Sequence, residues 1–141
     1  MKLFVVLLLC GTLFAQSKHG MEWGLKKSLE WQGFSGQLSG NVHFTHLGEL
    51  GCNAKKFRVL YYTWEETNPP GKAIHAQNRI VLLGDDGNYA GSYIVDDRPA
   101  KALPNALVFG YEDKLGNEIQ CNAHGLPKNV LLDGELRDLI K

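Results

Sequence analysis

The chain of 141 residues carries 15 Lys plus Arg against 15 Asp plus Glu. That balance gives no long-range field to draw in nucleic acid or an anionic membrane. With 44% hydrophobic residues it has the size of one domain and is long enough to bury a single core.

Met1 to Ala15 reads as an export signal. Lys2 supplies the positive start, and Leu3-Phe4-Val5-Val6-Leu7-Leu8-Leu9 is an apolar run too short to span a bilayer. Cleavage fits after Ala15 or after Ser17, which leaves a secreted, extracellular chain of near-neutral charge with no transmembrane segment. No Asn is followed two positions later by Ser or Thr, so there is no N-glycosylation acceptor. Residues 16–35 form a lead-in, in which Met21, Leu25 and Leu29 share one helical face while Gly24 weakens the helix. The domain proper spans 36–141.

Strand signals dominate that domain. Leu38, Val42 and Phe44 alternate with polar residues. Phe57 to Trp64 is the strongest run, dense in aromatic and β-branched residues. Asn68-Pro69-Pro70-Gly71 breaks the chain, since proline cannot join a ladder. Arg79 to Leu83 and Tyr89 to Val95 read as a hairpin closed at Gly84-Asp85-Asp86-Gly87-Asn88, where Asp-Gly accepts positive φ. Asp96 to Asn105 reads as a connection. Ala106 to Tyr111 and Glu118 to Cys121 suggest a second hairpin through Asp113 to Asn117. Val130 to Leu132 adds a short strand, and Glu135 to Ile140 is expected as a helical turn or two. The expected class is all-β, a small two-sheet β-sandwich with short helical turns at its ends.

Cys10 departs with the signal, leaving Cys52 and Cys121 as a pair in an oxidising compartment. The default reading is a disulfide closing a loop of about 70 residues, worth roughly 4 kcal/mol on the chain-entropy model. The alternative, a reactive thiol, has no thiolate-stabilising motif nearby.

Motifs for catalysis are missing. Gly33-Phe34-Ser35-Gly36 lacks the spacing of a nucleophile elbow, and no glycine-rich loop opens a helix to cradle phosphate. His43 and His46 read as surface histidines, not zinc ligands, and Cys121-Asn122-Ala123-His124 lacks the second cysteine of a haem attachment signature. Asp85, Asp86, Asp96 and Asp97 could together hold calcium, but the preferred reading is two turns with solvated acids. No enzyme activity, metal or cofactor is expected.

The strand from Phe57 to Trp64 contains the candidate site. Alternation sends Phe57, Val59, Tyr61 and Thr63 to one face and Arg58, Leu60, Tyr62 and Trp64 to the other.

Three segments together resemble the nematode transthyretin-like proteins, a secreted family. They are Phe57-Arg58-Val59-Leu60-Tyr61-Tyr62, Leu83-Gly84-Asp85-Asp86-Gly87-Asn88-Tyr89 and Pro104-Asn105-Ala106-Leu107-Val108-Phe109, with Leu126-Pro127 resembling the family's later Ile-Pro segment. The similarity covers about Gly40 to Leu131. The resemblance implies a transthyretin-like (prealbumin-like) topology with Phe57, Val59, Tyr61 and Thr63 inward. It further implies a binding protein for a small hydrophobic or lipid-like ligand or a cell-surface protein. Three departures stand against it. Tyr111-Glu112-Asp113 replaces the family's His-Asp-Cys, Cys52 lies later than the family's first cysteine, and Lys18 to Phe34 is a longer lead-in.

On that placement Leu60, Tyr62 and Trp64 make an apolar outer row. Either the lead-in covers it through Met21, Trp23 and Leu25, or it docks a ligand or partner. Other functional readings are a secreted inhibitor or hormone-like signal acting through the Asn68-Pro69-Pro70-Gly71 loop, and a relative of the hydroxyisourate hydrolases. The last lacks that family's Tyr-Arg-Gly-Ser ending, since the chain ends Asp138-Leu139-Ile140-Lys141.

Overall fold

In the computed structural model, residues 17–66, 76–111 and 116–141 are described, with side chains from Glu22 onward. The expected signal segment, the Asn68-Pro69-Pro70-Gly71 loop and most of the Asp113 to Asn117 turn lie outside them. Among the described residues the elements run α1 (Ser17–Trp31), β1 (Asn41–Cys52), β2 (Lys55–Glu65), β3 (Ala76–Leu83), β4 (Tyr89–Val95), β5 (Lys101–Leu103), β6 (Ala106–Val108), β7 (Glu118–Ile119), β8 (Asn129–Leu132) and β9 (Glu135–Asp138). The protein is mostly β.

Strands β1 to β4 pair antiparallel in chain order, an up-and-down meander. The β1–β2 hairpin closes tightly, with Cys52 opposite Lys55 and Asn53 at φ 57°. This is the left-handed geometry that asparagine tolerates better than most residues. A register shift between His46 and Gly48 bulges β1. Beyond it the strand end meets the second layer, where the Gly51 amide donates to the Pro104 carbonyl at 2.6 Å. That layer is not one sheet. It divides into β5-β6-β7 and a β8–β9 hairpin, a correction to the two-sheet expectation.

Each face of the meander carries its own core. The larger core gathers Leu50, Val59, Ile80, Leu82, Tyr93 and Val95 against Leu107, Phe109, Ile119, Val130 and Leu132 of the second layer. Phe57 and Tyr61 pack against it from the same face of β2, as the alternation requires. The smaller core lies on the opposite face. Leu60, Tyr62, Val81 and Leu83 meet Leu29 of α1 and Phe34 of the lead-in there, with Leu25 and Leu38 alongside. Burying an aliphatic or aromatic side chain of this kind stabilises by about 1.5–3 kcal/mol. Strand β3 is therefore apolar on both faces because it is buried on both.

The lead-in is anchored by polar contacts as well. The Tyr62 hydroxyl donates to the Gln37 carbonyl at 2.7 Å, and the Phe34 and Tyr62 rings meet edge to face at 5.3 Å. Arg79, 4% exposed, lies in the same layer. Its guanidinium donates to Gln77 Oε1 and Ser35 Oγ, both at 3.0 Å, and to Ser92 Oγ at 3.4 Å. Burial holds its pKa below the ordinary arginine value, partly offset by Tyr89 and Tyr62.

The expected carboxyl-terminal helix is a strand. Leu132 to Glu135 is a two-residue hairpin in which Asp133 and Gly134 take φ 50° and 74°. Positive φ at both central positions is the type I′ geometry that Asp-Gly favours. The chain then returns along β4, where Ser92 and Ile140 exchange two backbone bonds of 2.8 Å. Lys101 to Leu103, expected as connection, pairs with β6.

Candidate functional site

Leu60 and Tyr62 are buried and Trp64 is half-buried, beneath Leu25, Leu29, Phe34 and Leu38. Of the two readings of this row, a face covered by the lead-in or a docking surface, the burial fits the first, and the row is part of the smaller core. Its own apolarity is the reason, since an exposed strip of this kind is stabilised by whatever segment can cover it. The covering residues differ in part from expectation. Leu25 takes part and Trp23 points away, 66% exposed, while the Met21 side chain lies outside the described residues.

The open concavity is elsewhere, at the disulfide end of the molecule. A groove of about 460 Å³ is lined by the β1–β2 turn, Phe57, Ala90, the 123–126 loop, Leu139 and Lys141. That volume falls within the range of about 300–1,000 Å³ usual for small-molecule sites. Phe57, Ala90, Leu126 and Leu139 all pack against the larger core. The apolar part of the groove's lining is therefore the flank of that core.

Short-range chemistry holds each wall. Cys52 and Cys121 are joined, with Cα atoms 5.2 Å apart, within the separation a disulfide requires. The bridge ties the β1–β2 turn to the segment that carries the opposite wall. Asn53 Nδ2 adds bonds to the carbonyls of Asn122 at 3.2 Å and Ala123 at 3.5 Å. The 122–125 loop closes on itself through reciprocal Asn122 and Gly125 backbone bonds of 2.9 and 3.1 Å. The His124 amide donates to Asn122 Oδ1 at 2.8 Å, which leaves the exposed imidazole at the groove.

The remaining wall depends on Gly91. At φ 147° it has no side chain, and a Cβ there would meet Leu139 Cδ1 at 2.5 Å. Glycine lets the tail lie directly on β4, and the Leu139 amide completes the fit by donating to the Lys128 carbonyl at 2.7 Å.

No family model, curated protein or solved structure matches the chain. The geometry alone therefore describes what the groove can do. Its lining combines the apolar side chains of Phe57, Ala90, Leu126 and Leu139 with Asn53, Lys55, Lys141 and His124, and holds no acidic side chain. Asp86 stands close enough to Lys55 to feel its charge. Its carboxyl is held below the ordinary value first by hydrogen bonds from the Asn88 amide and side chain, with Lys55 the smallest contributor.

The other candidates are kept apart. Asp85 and Asp86 precede β4 while Asp96 and Asp97 follow it, a separation of about 20 Å at strand rise. No group of three or more His, Cys, Asp or Glu able to hold a metal occurs among the described residues. His43 and His46 are exposed, and His43 Nε2 meets Asn41 Oδ1 at 2.9 Å. Sequence reasoning missed the groove because its walls come from four distant stretches. The one local signal was Asn53-Ala54 directly after Cys52, a short turn that pins one wall.

Proposed function

We propose that this chain is an exported binding protein that holds a small apolar ligand in the groove at its disulfide end. One observation carries the reading. Four half-buried apolar residues on the flank of the larger core, Phe57, Ala90, Leu126 and Leu139, open into a groove whose walls are braced by a disulfide. A disulfide suits an oxidising, extracellular setting, and the apolar segment from Leu3 to Leu9 after Lys2 suits export. Among the described residues no helix is long and apolar enough to cross a membrane.

The transthyretin-like character remains part of this proposal. Its motifs fall on β2, on the β3–β4 turn and on the β5–β6 turn, which makes them sheet and turn chemistry that the fold uses. The test is titration of the purified chain with the neutral fluorescent probe N-phenyl-1-naphthylamine. Saturable one-to-one binding is expected, and Ala123→Trp, at an exposed groove position, should abolish it without changing the melting temperature. Unaltered binding in that variant would remove the groove from the function. Mass spectrometry of molecules that co-purify from the native fluid would then identify the natural ligand.

A further inference from the structure

We infer that the groove selects an apolar molecule bearing one anionic head group, a carboxylate or a phosphate; this rests on the binding reading above and names the ligand class for the same groove. Charge is the first observation. The chain has equal numbers of acidic and basic residues, yet the groove lining holds Lys55, Lys141 and His124 with no acidic side chain. The segregation is local, against a neutral background.

The second observation is that, among the described residues, neither Lys55 nor Lys141 is held in an ion pair. The ion pairs there engage Lys26, Lys27 and Arg137. Asp86, the carboxylate that Lys55 influences, already accepts from the Asn88 amide at 2.9 Å and from Asn88 Nδ2 at 2.7 Å. Lys55 and Lys141 are both exposed, and a charge-assisted bond from a lysine to an arriving oxyanion is about twice as strong as a neutral one.

The third observation sets the body of the ligand. A bare anion would need only the lysines, whereas here they line the same groove as Phe57, Ala90, Leu126 and Leu139. An apolar tail would take those apolar side chains out of water and the head would meet the lysines. A neutral tail gains only the first contact. A cationic head would be repelled.

The experiment is calorimetric titration of the full purified chain, below micellar concentrations, with decanoate, decyl phosphate, decanol and decylammonium, and with acetate and inorganic phosphate as heads without tails. Decanoate or decyl phosphate should bind at least about tenfold tighter than decanol, with decylammonium the weakest. The better of the two identifies the head group. In the double variant Lys55→Gln/Lys141→Gln, whose changes fall on exposed side chains, the anionic probe should lose its advantage, binding no tighter than decanol does to the same variant. Equal affinity for decanol and decanoate in the unmodified chain would overturn this inference and leave the binding reading standing. Binding of acetate or phosphate as tightly as their tailed forms would also overturn it, by revealing a site for the bare anion. If decanol, decanoate and decyl phosphate all fail to bind, the binding reading falls with it.

Discussion

The Arg79 guanidinium carbon lies 5.2 Å from the centre of the Phe34 ring, a cation held against an aromatic face inside the smaller core. Among the described residues no carboxylate pairs with it, so its charge is met by the ring, by Gln77 Oε1 and by the hydroxyls of Ser35 and Ser92. Arg79 thereby clips the lead-in to β3 and β4 together. Arg79→Ala should destabilise the protein by about 2–4 kcal/mol, from lost packing and unpaired polar groups. Arg79→Met should cost less, because it refills the space without a desolvated charge. Urea titration followed by tryptophan fluorescence gives both values, and a neutral Ala variant would refute the clip.

Helix α1 offers a contrast within one element. Leu29 is fully buried whereas Trp31 is 88% exposed. Leu29→Ala is expected to cost about 2–5 kcal/mol, and Trp23→Ala or Trp31→Ala to stay within about 0.5 kcal/mol. Deleting residues 18–34 would uncover Leu60, Tyr62, Val81 and Leu83 together. Aggregation or unfolding of that truncated chain in size-exclusion chromatography is the expected outcome.

The disulfide closes a sequence separation of 69 residues. The double variant Cys52→Ser/Cys121→Ser should lose roughly 4 kcal/mol on the chain-entropy model, read from thermal melts. Affinity for the groove probe should fall as well, since the bridge ties two walls together. Labelling of both thiols in the untreated protein would contradict the bridge.

Alkaline pH should unfold the protein through its buried phenols. Burial holds Tyr93 far above the ordinary value near 10, and pushes Tyr62 and Tyr89 up less strongly. A phenol whose pKa is raised on folding keeps its proton in the folded state after the unfolded state has lost it. Its contribution is therefore complete below about pH 10 and declines as pH rises beyond that. Tyr93→Phe removes the titrating group but also the hydroxyl bond to the Pro127 carbonyl at 2.6 Å. The variant should be less stable at neutral pH by about 1 kcal/mol and show a shallower decline above pH 10 in pH-resolved urea titrations.

Gly91→Ala would place a methyl group against Leu139 in a backbone conformation that side chains resist. A loss of about 1–3 kcal/mol is expected, with weaker probe binding because the tail forms a wall of the groove. Equal affinity and stability would show that the tail moves aside freely.

How far the sequence announces this structure varies from one segment to another. The β3–β4 hairpin is legible because Asp86-Gly87 supplies turn chemistry between two apolar runs, and β4 has the bounds its composition suggests. The division of β2 into one face of Phe57, Val59 and Tyr61 and another of Leu60, Tyr62 and Trp64 follows from period-two geometry, whereas the inward placement of the first face is implied only by the family resemblance. What lies over the second face follows from neither, because covering depends on contacts distant in sequence. The strand β9 was obscured by Leu136, Leu139 and Ile140, whose spacing suits a helical face, even though Asp133-Gly134 carries the same hairpin chemistry as Asp86-Gly87. Lys101 to Leu103 is exposed throughout, so its pairing leaves no burial pattern to read. The groove was illegible for a different reason. Its apolar lining residues are ordinary core-flank positions, and only the folded chain brings them together in one groove.

The bulge between His46 and Gly48 has a consequence for how copies of this protein meet. Strand β1 is the margin of the meander, and a straight margin of twelve residues would offer a continuous template for strand addition by another molecule. The bulge breaks that template in the middle. Before it, the exposed side chains His43, Thr45 and His46 make the rim polar. After it, the strand turns toward β5 and engages Pro104. Only a short, polar stretch is left to recruit a neighbour, too little for an extended ladder, so the kink that joins the two layers also guards the chain against intermolecular β-pairing at high concentration.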